Sequence, residues 1–356
     1  MSVPRVPLGD DGYTIAQVLV GGWQLSPGHR AGAVDERRLF GDLERLVEAG
    51  LTTFDCADIY TGVEDLFGRF AARSGVELQL HTKFVPDEGE LASLRRADVE
   101  RAIDRSLRRL RTERLDLVQF SWWDYGVPGY VDAALWLAEL QDRGKIRHLG
   151  LTNFDVPRTR EILDAGVPLV CNQVQYSLLD RRPERGMVGL AVERRLGLLA
   201  YGTLAGGLLS DRYLGLPESE VAPETRSLVK YRLIQEEFGD WSAHQALLRA
   251  LSDVGRRNGV PLAAVALRWV LDRPGVAGAI VGTYHAGHLD SILAALELRL
   301  GDAGERALAG VLRGRPGPRG DVFGLERERE GAHGRLLWRN LNRGESRPAG
   351  GPDPRA

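Results

Sequence analysis

A regular alternation of short apolar runs with amphipathic segments constrains the fold of this chain more than any other feature of its sequence. Eight apolar, β-rich runs have the length of buried strands, near residues 17–22, 52–56, 77–82, 115–120, 146–151, 168–174, 197–201 and 276–281. Between them, apolar residues recur at the three-and-four spacing of amphipathic helices, for example at 35–49, 97–111, 129–143 and 155–164. Eight strands that alternate with helices over roughly 300 residues are typical of a closed barrel rather than an open sheet.

The predicted fold class is therefore α/β, a (β/α)8 TIM barrel. A doubly wound open sheet would more often show a GxGxxG turn after its first strand, and the sequence has none there. Residues 3–16 predict an N-terminal β-hairpin with Asp11-Gly12 in its turn. Because no repeat or linker divides residues 1–313, we predict a single barrel domain over that range.

Two segments interrupt the alternation. The connection at 204–241 follows the seventh strand, and connections of this length are usually lids or binding loops. Residues 314–356 are rich in Arg, Gly and Pro and are predicted to form an extended C-terminal tail. Within that tail, VFGLERE and HGRLLWRNLN could pack back onto the barrel, whereas about the last ten residues are predicted to be disordered.

Composition narrows the class of protein. A formal net charge of −2, 43% hydrophobic residues and the lack of a Lys/Arg block argue against a nucleic-acid-binding protein and favour a soluble globular one. Without an apolar signal core or a run of about 18 apolar residues, the sequence predicts a cytoplasmic protein that does not enter a membrane. Cys56 and Cys171 are predicted to be structural thiols, and no residues have the spacing of a metal site. Four histidines are predicted to lie at the surface or in caps: His29, His148, His244 and His333.

The ends of the predicted strands carry polar and aromatic residues almost throughout. In a (β/α)8 barrel the chemistry is located at the carboxyl ends of the strands, so these residues should line one pocket. They are Gly22, Trp23, Asp55 to Tyr60, Lys83, Ser121 to Trp123, Thr152, Asn153, Gln173, Tyr201, Gly282 and Thr283. Within that set, Asn153 and Gln173 can hydrogen-bond a carboxamide and Tyr201 can stack on an aromatic ring, which predicts a flat polar ligand.

Asp55, Tyr60 and Lys83 form the most specific group among these residues. A phenol is a weak acid at neutral pH, with a free pKa near ~10, and a neighbouring ammonium lowers that value. A carboxylate can in turn hold the ammonium in place. Only three of the 47 basic residues are lysines, so a lysine at this strand end weakly supports a need for a titratable amine. The trio predicts a proton-transfer site with Tyr60 as the acid.

Ordered motifs along the chain resemble those of the aldo-keto reductase family. The likeness covers about residues 5–313, and the tail phrase GDVFGLERERE resembles an extension found in one subgroup. The motifs are GGWQLS at 21–26, FDCADIYTGVEDLFG at 54–68, HTKF at 81–84, LDLVQFSWWD at 115–124, GKIRHLGLTNF at 144–154, NQVQYSLLDR at 172–181, AYGTLAGGLL at 200–209 and AIVGT at 279–283.

The resemblance implies a barrel that binds NADP(H) and moves hydride between the nicotinamide and a carbonyl carbon. It implies Tyr60 as the general acid, Lys83 as the group that lowers its pKa, and Asp55 as the partner of Lys83. Asn153 and Gln173 would hold the carboxamide of the nicotinamide. The further cofactor-binding positions that it implies are Gly22, Trp23, Thr152, Tyr201, Gly202, Thr203, Leu204, Gly206, Gly282, Thr283 and His288.

One departure from the family pattern affects the catalytic group. Where the family has a histidine in a QxHWxD motif, this chain has Ser121 within Gln119 to Asp124. Serine donates one hydrogen bond but cannot relay a titrating proton, and loss of one such donor typically costs on the order of 10² to 10³ in rate. His81 shares a strand face with Lys83 and is a conceivable substitute, but it should lie deeper, so we predict a structural His81.

A second departure lies in the loop at 282–293. His285 and His288 occupy positions where arginine or lysine is common, and Ile292 stands where an asparagine usually meets the adenine. A histidine with a free pKa near ~6.5 is mostly neutral at pH 7 and binds a phosphate less well than arginine. Weaker NADP(H) binding, use of NAD(H), or no cofactor at all are therefore open alternatives.

The leading interpretation is an NADP(H)-dependent oxidoreductase that acts on an aldehyde, a ketone or a polarised double bond. The alternative is an enzyme on the same barrel that uses Tyr60 and Lys83 for acid–base chemistry without net redox, such as a dehydratase, cyclase, isomerase or lyase. A third class, a non-catalytic cofactor-sensing subunit, would need tight cofactor binding, which the 282–293 loop does not favour. Tryptophans at the first and fourth strand ends predict a small-molecule substrate that is apolar or ring-containing, with no nucleic acid or membrane partner.

Overall fold

Eight parallel strands form a closed barrel in the computed structural model, which describes residues 3–27, 29, 34–222, 225–282 and 285–342. An antiparallel hairpin precedes the barrel, with β1 at Arg5–Pro7 and β2 at Thr14–Ala16. The barrel strands are β3 Val18–Gly21, β4 Thr53–Asp55, β5 Gln79–Phe84, β6 Leu115–Phe120, β7 Ile146–Thr152, β8 Leu169–Gln175, β9 Gly197–Tyr201 and β10 Val276–Gly282. Pairing of β10 with β3 closes the barrel. The predicted (β/α)8 fold and the N-terminal hairpin are confirmed.

The hairpin covers the amino end of the barrel, because β2 leads directly into β3. One buried apolar cluster joins the hairpin to strands from around the barrel, and its members are Leu8, Tyr13, Ile15, Leu19, Leu117, Cys171, Leu199 and Ile280. Burying these side chains stabilises that end by removing apolar surface from water. The carboxyl ends of the strands are left for polar side chains.

Helices surround the barrel and bury their apolar faces against it. The segments predicted to be helical begin and end within one residue of the observed helices, as for α1, where Leu39, Leu43 and Leu46 are buried at helical spacing. Asp35 accepts a hydrogen bond from the backbone N–H of Arg38 and so caps the first turn of α1. The helices are α1 Glu36–Glu48, α2 Val63–Arg73, α3 Arg96–Leu110, α4 Tyr130–Asp142, α5 Val156–Asp164, α6 Met187–Arg194, α7 Arg226–Phe238, α8 Trp241–Asn258, α9 Leu262–Leu271, α10 Leu289–Glu297, α11 Gly301–Leu312, α12 Gly324–Arg327 and α13 Ala332–Arg335. Within the described ranges, none of them is both long and apolar enough to cross a membrane.

The connection after β9 is more ordered than its length suggests. Three short 3-10 turns lead into α7, a helix of 13 residues. Its buried apolar residues, Leu228, Tyr231, Ile234 and Phe238, recur at spacings of three and four. The sequence did not predict this helix, because the same buried face also includes the polar Gln235.

The C-terminal segment, residues 321–342, crosses the carboxyl end of the barrel. It contains the short helices α12 and α13 and bonds to loops that follow different strands. The N–H of Val156, after β7, donates to the Asp321 carboxylate at 3.0 Å. The N–H of Glu88, after β5, donates to the Arg339 carbonyl at 2.8 Å. Both tail phrases therefore pack onto the barrel, whereas the predicted disorder of the final residues falls outside the described residues. The domain boundary at residue 313 stays a prediction.

A buried ionic triad anchors this segment. Arg182, after β8, donates to the Asp180 carboxylate at 2.6 Å and to both Glu326 oxygens at 2.7 and 2.9 Å. All three side chains are almost completely buried. Because a buried charge is costly unless it is paired, this triad ties α12 firmly to the loop after β8.

Candidate active site

Side chains from four barrel strands meet in one hydrogen-bonded network at the carboxyl end. Lys83, on β5, donates to the Asp55 carboxylate at the end of β4, with 2.6 Å between Nζ and Oδ2. It also donates to the Cys56 carbonyl at 2.8 Å. The amides of Gln119 on β6 and Gln173 on β8 both donate to Asp55 Oδ1 at 2.8 Å. The Asp55 carboxylate therefore holds an ammonium with one oxygen and two amides with the other.

Tyr60 lies beside this network, on the turn between β4 and α2. The turn is closed by hydrogen bonds from the N–H of Tyr60 to the Ala57 carbonyl at 3.0 Å and from the N–H of Val63 to the Tyr60 carbonyl at 2.9 Å. Lys83 Nζ lies 5.0 Å from the centre of the Tyr60 ring. The structure thus brings together Asp55, Tyr60 and Lys83, as the sequence predicted they would be.

The pKa of Tyr60 differs from the sequence-based expectation that Lys83 would lower it. Burial raises the pKa of Tyr60 to about 12, although the neighbouring Lys83 acts in the opposite, predicted direction. Burial also opposes the charged form of Lys83, but Asp55 and Tyr60 outweigh it and raise the pKa of the ammonium. At neutral pH the phenol therefore keeps its proton beside a permanent ammonium, which is the state that a proton donor requires.

Asn153 and Gln173 offer one free donor and one free acceptor to a carboxamide. The Tyr201 hydroxyl donates to Asn153 Oδ1 at 2.8 Å, while Gln173 Nε2 donates to Asp55 and to Gln119 Oε1. Asn153 Nδ2 and Gln173 Oε1 have no hydrogen-bond partner among the described residues. A primary carboxamide needs one acceptor and one donor, so this pair fits the carboxamide of a nicotinamide.

The loop after β9 is packed beneath α7. A Cβ at Gly202 would lie 2.4 Å from the Tyr231 hydroxyl oxygen and one at Gly206 would lie 2.7 Å from the Tyr231 ring, and both glycines have a positive φ. Lys230 of the same helix lies with its Nζ 4.9 Å from the centre of the Tyr201 ring. Close contact with α7 therefore accounts for both glycines. Between them, Thr203 is buried and Leu204 is half-buried in the apolar core.

The remaining predicted cofactor-binding residues lie at the barrel rim and contact neighbouring residues there. The N–H of Gly22 donates to the Asp55 carbonyl at 2.8 Å, and a Cβ at Gly22 would lie 2.8 Å from Val63. Trp23 packs edge-on against Tyr60, with ring centres 5.0 Å apart. Thr152 is buried, and a Cβ at Gly282 would lie 2.5 Å from the Gln24 amide. The predicted residue Thr283 lies outside the described residues.

Ser121 stands at the end of β6, where the family pattern has histidine. Its N–H donates to the Phe84 carbonyl at 3.0 Å, and the side chain is buried. Within the described part of the chain, its hydroxyl has no hydrogen-bond partner. The adjacent Trp122 and Trp123 both donate their indole N–H to backbone carbonyls, so each indole nitrogen has a structural partner.

His81 is structural, as predicted. Its Nε2 is hydrogen-bonded to the Tyr13 hydroxyl of the hairpin loop at 2.9 Å, deep in the barrel. Burial, together with Lys83, lowers the pKa of His81 to about 3, so the ring is neutral at physiological pH. The prediction that histidines lie at the surface or in caps was wrong for three others, which are buried in the folded chain: His148, His244 and His333.

The loop at 285–292 carries no guanidinium or ammonium, as its sequence shows. The rings of His285 and His288 lie with their centres 4.6 Å apart. Burial and the neighbouring His285 lower the pKa of His288, so it is neutral at pH 7. Ile292 is buried in the apolar core. The described part of this loop therefore presents little positive charge to a phosphate.

Three side chains at the same end of the barrel were not predicted to belong to a site. Lys230 lies over the Tyr201 ring, as described above. Arg327 donates through Nη2 to the carbonyls of Trp122 at 3.1 Å and Asn153 at 2.9 Å. Trp338 is half exposed, and the Arg226 guanidinium lies 3.5 Å from its ring centre. The sequence signal for Arg327 was the phrase GDVFGLERERE, which resembles a subgroup extension, and Trp338 lies in the phrase HGRLLWRNLN, which was expected only to pack back onto the barrel.

Comparison with known proteins identifies the family to which this chain belongs. A family model described as "Aldo/keto reductase family" matches residues 17–310. The chain belongs to the aldo/keto reductase family. It is an oxidoreductase of that family, whose members typically bind nicotinamide cofactors and act on small molecules.

Individual known proteins are similar to this chain over most of its length. Aldo-keto reductase YhdN from Bacillus subtilis is 28% identical, over 80% of this chain and 86% of its own length. The oxidoreductase YrpG from the same organism is 30% identical, over 81% of this chain and 90% of its own. Among solved structures, the glycerol dehydrogenase AKR11B4 from Gluconobacter oxydans superimposes with a TM-score of 0.72 at 25% identity, covering 90% of this chain and 98% of the other.

Proposed function

We propose that this aldo/keto reductase reduces an aldehyde, a ketone or a polarised double bond with NADP(H), using Tyr60 as the general acid. The observation that carries the proposal is the placement of the Tyr60 phenol beside Lys83, which Asp55 holds at 2.6 Å. A phenol in that position can give its proton to a substrate oxygen, and the ammonium stabilises the phenolate that remains.

The roles of the protein groups follow from their contacts. A bound nicotinamide supplies the hydride. The Tyr60 hydroxyl hydrogen-bonds the substrate oxygen and transfers its proton as negative charge develops there. Asp55 keeps Lys83 charged and oriented, while Gln119 and Gln173 fix Asp55 from the other side. The network is preorganised before substrate arrives, so it needs little rearrangement during the reaction.

The cofactor site is supported unequally by its two halves. Asn153 Nδ2 and Gln173 Oε1 match a carboxamide, and Tyr201 lies next to Asn153, where an aromatic ring can stack on the nicotinamide. At the other half, the neutral His288 would contact the adenosine 2′-phosphate only weakly. We therefore propose that the protein uses NADP(H) as its cofactor and that it prefers NADP(H) only modestly over NAD(H).

Ser121 limits the range of carbonyl groups that react quickly. Its hydroxyl offers one hydrogen-bond donor where family members have an imidazole, so less charge on the substrate oxygen is neutralised. Substrates that bring their own activation, such as carbonyls with neighbouring electron-withdrawing groups, should react faster than simple aldehydes.

A row of aromatic rings supports an apolar or ring-containing substrate. Tyr60 contacts Trp23 with ring centres 5.0 Å apart, Trp23 contacts His29 at 4.0 Å, and His29 lies 6.5 Å from Trp338. Burial and two neighbouring cations lower the pKa of His29 to about 4, so the row is uncharged at pH 7. It leads from the acid to the half-exposed Trp338, and such a wall favours planar, apolar faces.

Acid–base chemistry without net redox is the second candidate. The proton-transfer group is complete, whereas the histidine position is Ser121 and the described part of the 285–292 loop offers little positive charge. A dehydratase, cyclase, isomerase or lyase would need the first feature and not the others.

One experiment distinguishes the two candidates. Purified protein is titrated with NADPH and with NADH while nucleotide fluorescence is followed, and ring-containing and aliphatic aldehydes and ketones are then added. Saturable binding followed by substrate-dependent loss of nicotinamide absorbance supports the reductase. If no binding occurs up to millimolar nucleotide, the reductase proposal is wrong and the non-redox candidate gains support. Tyr60→Phe serves as the control, because its turnover should be abolished in either case.

A further inference from the structure

Arg327, in the C-terminal segment, bonds to two backbone carbonyls of the active-site rim. Its Nη2 lies 3.1 Å from the carbonyl oxygen of Trp122 and 2.9 Å from that of Asn153. Trp122 follows the serine at the histidine position, and Asn153 carries the free amide donor described above. One charged donor thus bridges the ends of β6 and β7 from a segment 174 residues further along the chain.

Asn153 has a backbone conformation that needs outside support. Its φ is 63°, in the left-handed region, which asparagine tolerates better than most residues but which still carries strain. Its N–H donates to the Gln173 carbonyl at 2.9 Å, and its side chain accepts from Tyr201. Arg327 provides the third restraint, at the carbonyl. Without it, the peptide group after Asn153 could rotate and move the amide donor.

Arg327 is itself held firmly. Its guanidinium carbon lies 4.1 Å from the centre of the Tyr125 ring. The Tyr125 hydroxyl accepts from the N–H of Asp155, the residue that caps α5. The preceding residue, Glu326, belongs to the buried triad with Arg182. A side chain fixed on these sides can transmit a defined geometry to the carbonyls that it binds.

We propose that Arg327 is a positioning residue for the nicotinamide half of the active site, acting through Asn153. The C-terminal segment is then part of the active site rather than an appendage. This inference rests on the proposed function, because it assumes that Asn153 binds the nicotinamide carboxamide. It predicts that removing the guanidinium affects ligands that contain the nicotinamide ring and spares those that lack it.

The test compares two ligands and three variants by isothermal titration calorimetry. NADPH contains the nicotinamide, whereas 2′-phospho-ADP-ribose has the same adenosine and pyrophosphate without it. Arg327→Met should weaken NADPH binding about tenfold and leave 2′-phospho-ADP-ribose binding within about twofold. Arg327→Lys keeps the positive charge but loses the planar guanidinium group, so NADPH binding should weaken about threefold. If the Met variant does not fold, the Lys variant still decides the question.

The matched control is Arg329→Met. Arg329 lies on the same segment but forms surface ion pairs with Glu88 and Asp124. The Arg329→Met variant should leave the affinities for both ligands unchanged. Equal weakening of both ligands by Arg327→Met, or no weakening of either, would overturn the positioning role while leaving the proposed function intact. Wild-type protein that binds neither ligand would overturn the proposed function and this inference together.

Discussion

Lys83 Nζ lies 2.6 Å from Asp55 Oδ2, and each of the two side chains exposes only 4% of its surface. Few proteins bury such a pair without a partner for every polar atom, and here Gln119, Gln173 and the Cys56 carbonyl complete the network. The pair is therefore the rigid element against which Tyr60 is placed.

Replacing one member of the pair should be worse than replacing both. Asp55→Asn leaves a buried ammonium without its carboxylate, so we expect the free energy of unfolding to fall by about 3–5 kcal/mol. Adding Lys83→Met to that variant should recover part of the loss, because no unpaired charge is then buried. Urea unfolding monitored by circular dichroism measures both effects. A double variant less stable than Asp55→Asn would contradict this account.

Tyr60→Phe should lower kcat by at least about 10²-fold while leaving nucleotide affinity unchanged, because only the transferable proton is lost. Since burial raises the pKa of Tyr60 to about 12, the acid is protonated below that value. Reductase activity should therefore show no loss from Tyr60 ionisation between pH 6 and pH 10, and should fall only as the pH approaches about 12. A pH–rate profile of kcat checks this, and an alkaline decline near pH 8 would show that the pKa of the acid is not raised by burial.

Ser121→His should raise kcat/KM for simple aldehydes, by up to about 10²-fold, because imidazole neutralises more charge on the substrate oxygen than a hydroxyl does. Ser121→Ala is the control and should lower the same parameter, since it removes the single donor. Steady-state kinetics with an unactivated aldehyde measures both. No gain from the histidine would mean that Ser121 is not what limits this reaction.

Glu326→Gln should loosen the C-terminal segment, because Arg182 then lacks one of its two carboxylates. Burial alone would raise the pKa of Glu326, but Arg182 outweighs it and lowers the value to about 2. The folded-state pKa is thus below the usual 4.5, so this contribution to stability is present above pH 4.5 and is lost as the pH falls toward 2. Hydrogen exchange of residues 321–342 should report the release. If exchange there is the same in wild type and Glu326→Gln at pH 7, the triad does not anchor the segment.

The barrel and the membership of its rim could be predicted from short-range patterns. Strand-like and helix-like periodicities recur along the chain, and parallel strands place their carboxyl ends at one rim. That rule was enough to bring Asp55, Lys83, Asn153 and Gln173 together from segments far apart in sequence. Family motifs added roles to these positions, and Ser121 was visible as a departure because it falls inside such a motif.

Interactions between distant segments could not be predicted in the same way. Both donors of the Gln173 amide turn out to be used by Asp55 and Gln119, which leaves only its oxygen for a ligand. His244, within α8, is buried although nothing in its local sequence indicates it. Helix α7 was missed for a different reason, because its inner face includes the polar Gln235, which donates to the Gly239 carbonyl at the end of the same helix.

The sequence by itself determined the barrel, the order of its strands and the chemical identity of the groups at its rim, because these depend on local periodicity and on residue type. The tertiary structure alone decided the protonation and the positioning of those groups. Burial of Tyr60 sets its pKa, and Arg327 reaches Asn153 only after the tail has crossed the barrel. Burial and long-range hydrogen bonds arise from packing in three dimensions, and no local pattern encodes them.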